Sequence, residues 1–594
     1  MQKTIKLSLI LGALLSQLHA QNTNEVTLNT FEVTSTAIST DELRSTDAVE
    51  VYTQEDIEKS RVKSLYEFLN TQTSVTAVPS FGNPFAQLID IRGYGSANGH
   101  ENILITVNGR KMNNIDSLPQ LLSSIAPSSV SRIEIIKSSG IVIGGDGANA
   151  GTINITTKNN NNKEITLYGG TYGTYSASAY IGHSDDTLSI SASGEAQGTG
   201  GSRPTDNQGN KDKNLLRNAT FNLAYTPSEE LELRFGASAT KSDVFYAGSM
   251  TKAQYDSNPS QFAGSTFHQI FNTNSLSAGV TYNISDELSI SVDANREKKK
   301  SDFVPTFSGA SLYTYNSGTI ALDYISDSFS FTVGGDLFKG DREQASNTTT
   351  KDNVAGFAMA EFYAGKSTFK AGYRIETVSY RYKSTTKDLN QNDDLRGMEL
   401  GYNYAIDNEK SFFVNYSHSY QAPNIDKFFN FGGTFNGFIN PMKSNNYNLG
   451  FNYFTPSNKL KVAIYYIDLE DEIYFYKDVF PNSKNTNIDK SHKYGLDIYD
   501  KVLLSDEFNA VFNYNYVKAI IDEETENGDS FAGKELPGVS NHSIKATLNY
   551  MPTSQYTFSL TQEYRSQAYA ANDFNNNFSQ KQDAYKSTDI AVTY

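Results

Sequence analysis

The residues able to do chemistry in this chain are spread out rather than gathered. There are seven His, 66 Asp and Glu, and no Cys in 594 residues. No Ser/His/Asp arrangement and no group with metal-ligand spacing can be recognised. The lack of Cys removes disulfides, thiol catalysis and Cys-ligated metals. An isolated His such as His100 or His418 is more often structural than a ligand. The pattern therefore predicts no enzyme, no cofactor and no resident metal. What remains is binding chemistry. Residues 428–439 carry Phe428, Phe429, Phe431, Phe435 and Phe438 among Gly and Asn. Such an aromatic surface either stacks on a ligand or packs on itself. A formal net charge of −16 argues against a nucleic-acid partner.

The elements that position these residues fall into distinct stretches. Lys3 and Lys6 precede an apolar run over residues 7–15, and Leu18-x-Ala20 supplies small-residue spacing before Gln21. This reads as a secretory signal over residues 1–20, too short to span a bilayer as a helix. Losing its two lysines moves the net charge from −16 to −18. Residues 46–158 read as globular. Ile57, Val62, Leu65, Phe68 and Leu69 have near-helical spacing, which predicts a short amphipathic helix over residues 54–70. Buried strands are predicted at 88–91, 103–107, 133–136 and 152–156, with a hairpin turn at Asn108-Gly109. The Asn run 159–162 is a polar joint.

From Glu164 onward, hairpins with strict alternation repeat. Leu276, Ala278, Val280 and Tyr282 run into a turn at 285–287, then Leu288, Ile290, Val292 and Ala294 follow. Period two with one apolar face is a half-buried strand. No stretch approaches the apolar run of a membrane helix, but alternating strands of a membrane barrel average out in hydropathy. Short polar turns near 184, 226, 285, 326, 366, 408, 457, 506 and 553 contrast with long polar links at 198–218, 339–353 and 383–395. Short turns at one end and long loops at the other are the outer-membrane pattern, and 38 Tyr with 35 Phe suit its aromatic girdles. Nine turns give 20 strands by hairpin arithmetic. The last strand should turn Ile590, Val592 and Tyr594 to lipid.

Five motifs in order carry a resemblance. Thr30-Phe31-Glu32-Val33-Thr34-Ser35 resembles a TonB box. Asp90-Ile91-Arg92-Gly93-Tyr94, Thr106-Val107-Asn108-Gly109-Arg110, Ser131-Arg132-Ile133-Glu134-Ile135-Ile136-Lys137 and the Gly-rich stretch 144–155 resemble successive plug motifs. Softer matches follow at Tyr420-Gln421-Ala422-Pro423, Asn440-Pro441-Met442 and residues 536–542. The chain thus resembles the TonB-dependent receptor family over nearly its whole mature length. It departs from the family patterns at Thr73-Ser74-Val75, Ser138-Ser139-Gly140 and Gln421. The resemblance implies an all-β transmembrane antiparallel barrel with an N-terminal α/β plug in its lumen. It also implies about 22 strands, against 20 counted, and so a missed hairpin within residues 242–274.

Further expectations follow from the resemblance. Residues 21–45 form a periplasmic leader with the box, 46–158 the plug and 163–594 the barrel. An extended leader segment can add as a strand to a partner's sheet edge, and the resemblance makes that partner TonB, the inner-membrane energy transducer. Arg92 and Arg132 are implied to latch the plug onto barrel glutamates. Ligand contacts are implied at the plug apices, with Phe81 and Phe85 for stacking and Asn83, Asn114 and Asp116 for hydrogen bonds, and in the loop with Phe431, Phe435 and Phe438. The implied cargo is a scarce metal chelate, by family default a ferric siderophore taken up for iron. Cobalamin is the alternative, then nickel or copper complexes. Haem is disfavoured because residues 423–440 hold no His. A passive porin would explain the barrel but not residues 46–158. The expected setting is a monomer surrounded by outer-membrane lipid in a Gram-negative cell.

Overall fold

The computed structural model describes residues 32–33 and 40–594, apart from 81, 96–97, 113, 138–139, 305–308, 431–433, 477–482, 572 and 578–580. The signal stretch lies outside the described residues.

The N-terminal body is built on a five-stranded sheet. It comprises β1 (Val49–Thr53), α1 (Gln54–Ser60), α2 (Leu65–Gln72), β2 (Thr76–Ser80), β3 (Asn83–Asp90), β4 (Ile103–Val107), β5 (Arg110–Lys111), β6 (Val130–Ile136), the short α3 (Ile141–Gly144) and β7 (Gly151–Thr157). The sheet order is β1-β6-β7-β4-β5, with only β4 and β7 parallel, while β2 and β3 form a separate hairpin. Asn108 and Gly109 turn β4 into β5 at φ 49° and 79°, the paired positive φ of a type I′ hairpin. The single helix expected over residues 54–70 is two. Thr53 and Asp56 form a capping box for α1, Arg61 ends it in the left-handed region at φ 54°, and the Ser64 hydroxyl caps α2 by accepting from the Glu67 N–H at 3.2 Å. The apolar periodicity survives this break, so spacing alone does not reveal it. Leu65, Phe68, Leu69, Ile103, Ile105, Ile133, Ile135 and Ile153 make a dry core, each contributing about 1.5–3 kcal/mol on burial.

Residues from 163 onward form one antiparallel sheet of 20 strands in sequence order, from Lys163–Gly170 to Tyr585–Thr593. It wraps around the N-terminal body. Arg61 Nε lies 3.3 Å from Thr593 Oγ1 on the last strand, while Lys63 Nζ lies 5.3 Å from the ring centre of Tyr168 on the first. Two residues of one plug segment thus touch both ends of the sheet. Side chains alternate as expected. On Asn458–Tyr476, Tyr465 and Ile467 point to the lumen at 5% and 1% exposure, and Ile464 and Tyr466 point outward at 51% and 44%. Ile590, Val592 and Tyr594 are also outward.

The strand count corrects the expectation of a missing hairpin. Residues 248–265, between strands Leu231–Ala247 and Thr266–Asn283, hold a single helical turn Lys252–Ser257 capped by Thr251. The links expected at 339–353 and 383–395 are also not loops. Strands Phe329–Glu343 and Asn347–Ala364 leave only residues 344–346 between them, and Ser367–Ser384 and Asp388–Ala405 leave only 385–387. About 9–11 residues suffice to cross a bilayer, so these 15- to 18-residue strands continue beyond it. There the outer face has left lipid and the inner face is polar, with Arg342, Thr349, Lys351 and Asn353 buried, so no apolar stripe marks the strand and it reads as loop.

Candidate transport site

At the short-turn rim, the leader is tied to the wall. Glu32–Val33 pairs antiparallel with Thr40–Asp41, and Val33 is buried against Val49, Val51 and Ile136. The box residues Thr30, Phe31, Thr34 and Ser35 lie outside the described residues. Beyond the pairing, Lys459 Nζ meets Glu42 Oε2 at 2.6 Å, and Lys461 holds the other oxygen. Lys370 binds Asp47, and Lys501 Nζ meets Asp56 Oδ1 at 2.6 Å. Burial works against ionised Glu42 and Asp56, but these lysines outweigh it and hold both carboxyls below their ordinary range. Thr40 donates to Glu361 at 2.8 Å, and Asn415 donates to the Thr46 carbonyl at 2.8 Å.

Deeper in, Arg92 sits in the left-handed turn after β3, at φ 61°. Its Nη2 lies 3.3 Å from Asp497 Oδ2 on strand Lys484–Ser505, Nη1 donates to Asn448 Oδ1 at 2.7 Å, and the guanidinium covers the Tyr465 ring at 4.2 Å. The barrel acid is an aspartate, not the glutamate that the resemblance implies. Arg132 makes a 2.5 Å ion pair with Glu134 on its own strand β6. Period two puts residues 132 and 134 on one face, so this partner is already at hand.

On the long-loop side, the implied ligand residues mostly contact protein. Phe81 and Phe431 lie outside the described residues. Asn83 donates to the Tyr246 hydroxyl at 2.8 Å, and Phe85 packs with Leu216, Val244 and Tyr246 of the wall. Asn114 donates to the Leu118 carbonyl at 2.7 Å and accepts from Lys299. Asp116 is buried near Arg342 and Asp426. Phe435 stacks on Tyr382 at 4.9 Å, and Phe438 meets Phe428 edge-on at 4.9 Å, so the aromatic loop packs on itself. His100 is buried with Nε2 3.3 Å from the Ser117 carbonyl.

Two plug acids carry a pH signature. Burial pushes Asp90 up to about 6 despite the Tyr94 N–H it accepts at 3.0 Å. Burial and the neighbouring Asp426 push Asp116 up as well. A raised folded-state value means that these groups oppose folding above it and cease to do so as pH falls. Glu42, Glu50 and Asp56 are held below their ordinary values and keep their stabilising charge until pH drops beneath that range. Buried His100, whose value burial lowers, works the other way as pH falls, so the acids are isolated by comparison. Acidifying from about pH 7.5 to about pH 5.5 should favour the plug of the parent more than that of an Asp90→Asn, Asp116→Asn variant, read by limited proteolysis. An identical pH response of the two would contradict this.

Between β4–β5 and the wall runs a cavity of about 670 Å³, with Ser189, Glu232 and Arg234 toward the short turns and Asn114, Ile115 and Lys351 toward the loops. Arg110 Nη1 spans to Glu297 at 2.9 Å, and Arg374 pairs with Asp336 at 2.8 Å and Glu376 at 2.7 Å. Gly145 closes against this group at φ 69° and ψ −150°, a region that suits only glycine, and a Cβ there would sit 2.5 Å from Arg374 Nη2. Gly145→Ala should cost about 1–3 kcal/mol, read as a lower melting temperature of the purified protein.

The wall lysines and Asp497 escaped the sequence reading. Each stands at a lumen-facing position of its strand, where polar residues are ordinary. The available signal is charge: Lys459, Lys461 and Lys545 occupy inward positions that Ser or Asn would otherwise fill.

A plug filling a barrel, tethered through a leader, matches known proteins. The family model described as TonB dependent receptor-like, beta-barrel covers residues 149–594, and that of the TonB-dependent receptor plug domain covers residues 41–152. The vitamin B12 transporter BtuB of Vibrio vulnificus (strain CMCP6) is 24% identical over 553 residues, 90% of this chain and 84% of that protein. The ferric yersiniabactin uptake receptor FyuA of Yersinia pestis superposes with a TM-score of 0.73 at 16% identity, over 92% of this chain and 90% of that one. The copper transporter OprC gives 0.75 at 14% identity, over 92% and 90%. This chain belongs to the TonB-dependent receptor family, plugged β-barrel transporters, not enzymes, of the Gram-negative outer membrane.

Proposed function

We propose that the chain imports an uncharged metal chelate of the corrinoid class, using energy that TonB delivers by pairing with residues 30–35. The observation that carries the cargo assignment is the similarity over 90% of this chain to a vitamin B12 transporter. Charge does not select the cargo: residues 468–490 and 518–535 hold twelve Asp and Glu against five Lys, while residues 198–218 hold four Lys and Arg against two Asp. The ferric siderophore expectation is supported by the family and by the fold likeness to FyuA, and is the reading against which the corrinoid one is tested. A chelate larger than a drug-sized molecule needs more room than a cavity of about 670 Å³ offers, so its passage requires the plug to move. Arg92 with Asp497 holds the plug until then, and Arg132 braces β6 through Glu134. The transporter works as a monomer, with its apolar outer stripe in lipid.

Titration calorimetry of the purified full chain with cyanocobalamin, a ferric catecholate, ferric citrate and haem tests the cargo. Saturable binding of cyanocobalamin alone is expected. Binding of a ferric chelate in its place would overturn the corrinoid assignment.

A further inference from the structure

Four buried charges lie in a row across the plug–wall boundary. Glu50 on β1 contacts Lys137, with Oε1 3.0 Å from Nζ. Lys137 Nζ lies 3.6 Å from Asp497 Oδ2, and the same oxygen is 3.3 Å from Arg92 Nη2. All four side chains are at most 6% exposed. Two positive and two negative charges balance, which is what makes such a group tolerable away from water.

Only one of the four sits on an element that can leave alone. β1 is an edge of the plug sheet, hydrogen-bonded within it to β6 alone. It is also the first plug strand after the leader. The wall lysines on Glu42 and Asp47 grip the chain just ahead of it, and Lys461 also holds the carbonyl of its first residue, Val49. Tension on the leader therefore loads these contacts first and β1 next, while the core built around α2, β4, β6 and β7 gives up only Tyr52, which meets Phe68 edge-on at 5.3 Å, and keeps the rest of its packing. Lys137 and Asp497 also line two separate cavities, about 70 Å³ on the Arg92 side and about 20 Å³ on the Val49 side. Glu50 and Val49 line the second, so lifting β1 opens it toward the first.

We propose that Glu50 is the release residue of the plug: drawing β1 out removes one negative charge from the buried row and thereby loosens Arg92 from Asp497. The latch is then opened by charge imbalance rather than by tearing the Arg92 contact directly. Once β1 has gone, Lys137 and Arg92 share a single carboxylate. The surplus positive charge, buried without a partner, favours entry of water and separation of plug from wall. Glu50 is a positioning residue in this scheme and touches no cargo.

This inference rests on the reading that force enters through the leader, yet its test needs no TonB. Glu50→Gln keeps an oxygen for the Tyr52 hydroxyl and the Ser74 N–H, which Glu50 Oε2 accepts at 2.7 and 3.2 Å, and removes the charge together with the acceptor that faces Lys137. Lys137→Met removes the opposite one, and the double variant restores balance. The full chain and the three variants are placed in planar lipid bilayers, with heat-modifiable gel mobility checking that each barrel is folded. The expected result is spontaneous ion-conducting openings on the order of 100-fold more frequent in either single variant, and a return close to the parent rate in the double variant. A purely structural Glu50 would give a double variant at least as leaky as the worse single one, and that outcome overturns the proposal. So does a Glu50→Gln protein as tight as the parent. If Glu50→Gln leaks while cells lacking residues 30–35 still import, the leader reading fails and the charge coupling stands.

Discussion

Replacing Asp497 with alanine is expected to unseat the plug without unfolding the barrel. Asp497 serves Arg92 and Lys137 at once and accepts from Asn515 at 2.8 Å. Its loss leaves two buried cations facing one carboxylate, Glu50. Removing one partner of a buried pair costs about 3–5 kcal/mol, mainly as the penalty on the charge left behind. The barrel's own ladder continues on both sides of this strand. The damage should therefore appear as leak: strong sensitivity of cells to a large antibiotic that the intact outer membrane excludes, with a normal amount of folded barrel. Asp497→Asn, which keeps an oxygen for Arg92, should leak less. Equal tightness of the alanine variant and the parent would remove Arg92–Asp497 from the latch.

The second large effect is expected at Lys545, on strand His542–Thr553. Its ammonium is fully buried and donates to the carbonyls of Leu69 at 3.4 Å, Thr73 at 2.7 Å and Val75 at 2.5 Å. These carbonyls end α2 and begin the turn after it, where the chain has no intrahelical donors left. A cation at a helix C-terminus also meets the favourable end of its dipole. Lys545→Met keeps the stem and leaves three buried acceptors without this donor, at about 1–3 kcal/mol for each one that stays unsatisfied. Hydrogen exchange of the purified protein should show faster exchange confined to α2 and the following turn. Unchanged exchange there would mean that water replaces the ammonium at no cost.

These two residues show where the sequence was legible and where it was not. The outward stripe was readable, because lipid demands an apolar side chain at every second position: Ile464 and Tyr466, or Ile590 and Val592, announce their face. The lumen face carries no such demand. Lys545 and Asp497 look like any polar residue between apolar ones, and their importance comes from what stands opposite, 470 residues away for the Lys545–Val75 contact. Arg92 is singled out only by the family resemblance, and its partner lies 405 residues on. The polar strand extensions at 339–353 and 383–395 look like loops in the sequence, because outside lipid neither face needs an apolar side chain, even where Arg342, Thr349 and Lys351 are buried. The break between α1 and α2 was hidden because Ile57, Leu65 and Leu69 keep helical phase across it.

The energetics fit a part that must move. The plug's apolar core lies mainly within itself, while much of its contact with the wall consists of ion pairs and hydrogen bonds. Such pairs fix position well and add little net stability. Apolar contact with the wall is confined to patches: Tyr465, Ile467, Leu469 and Ile473 join the plug core, Ile115, Ile141 and Val142 cluster with Tyr315, Phe357 and Val378, and Phe85 packs on Leu216 and Val244. These patches should stay docked longest when the leader is drawn.

The central claim is energised import of a corrinoid through the leader. It is tested most directly by uptake of radiolabelled cyanocobalamin into cells expressing either the full chain or a variant lacking residues 30–35, with and without a protonophore. The account predicts accumulation only for the full chain in energised cells, with surface binding of the label retained by the deletion variant. Accumulation that survives the deletion or the protonophore would contradict it.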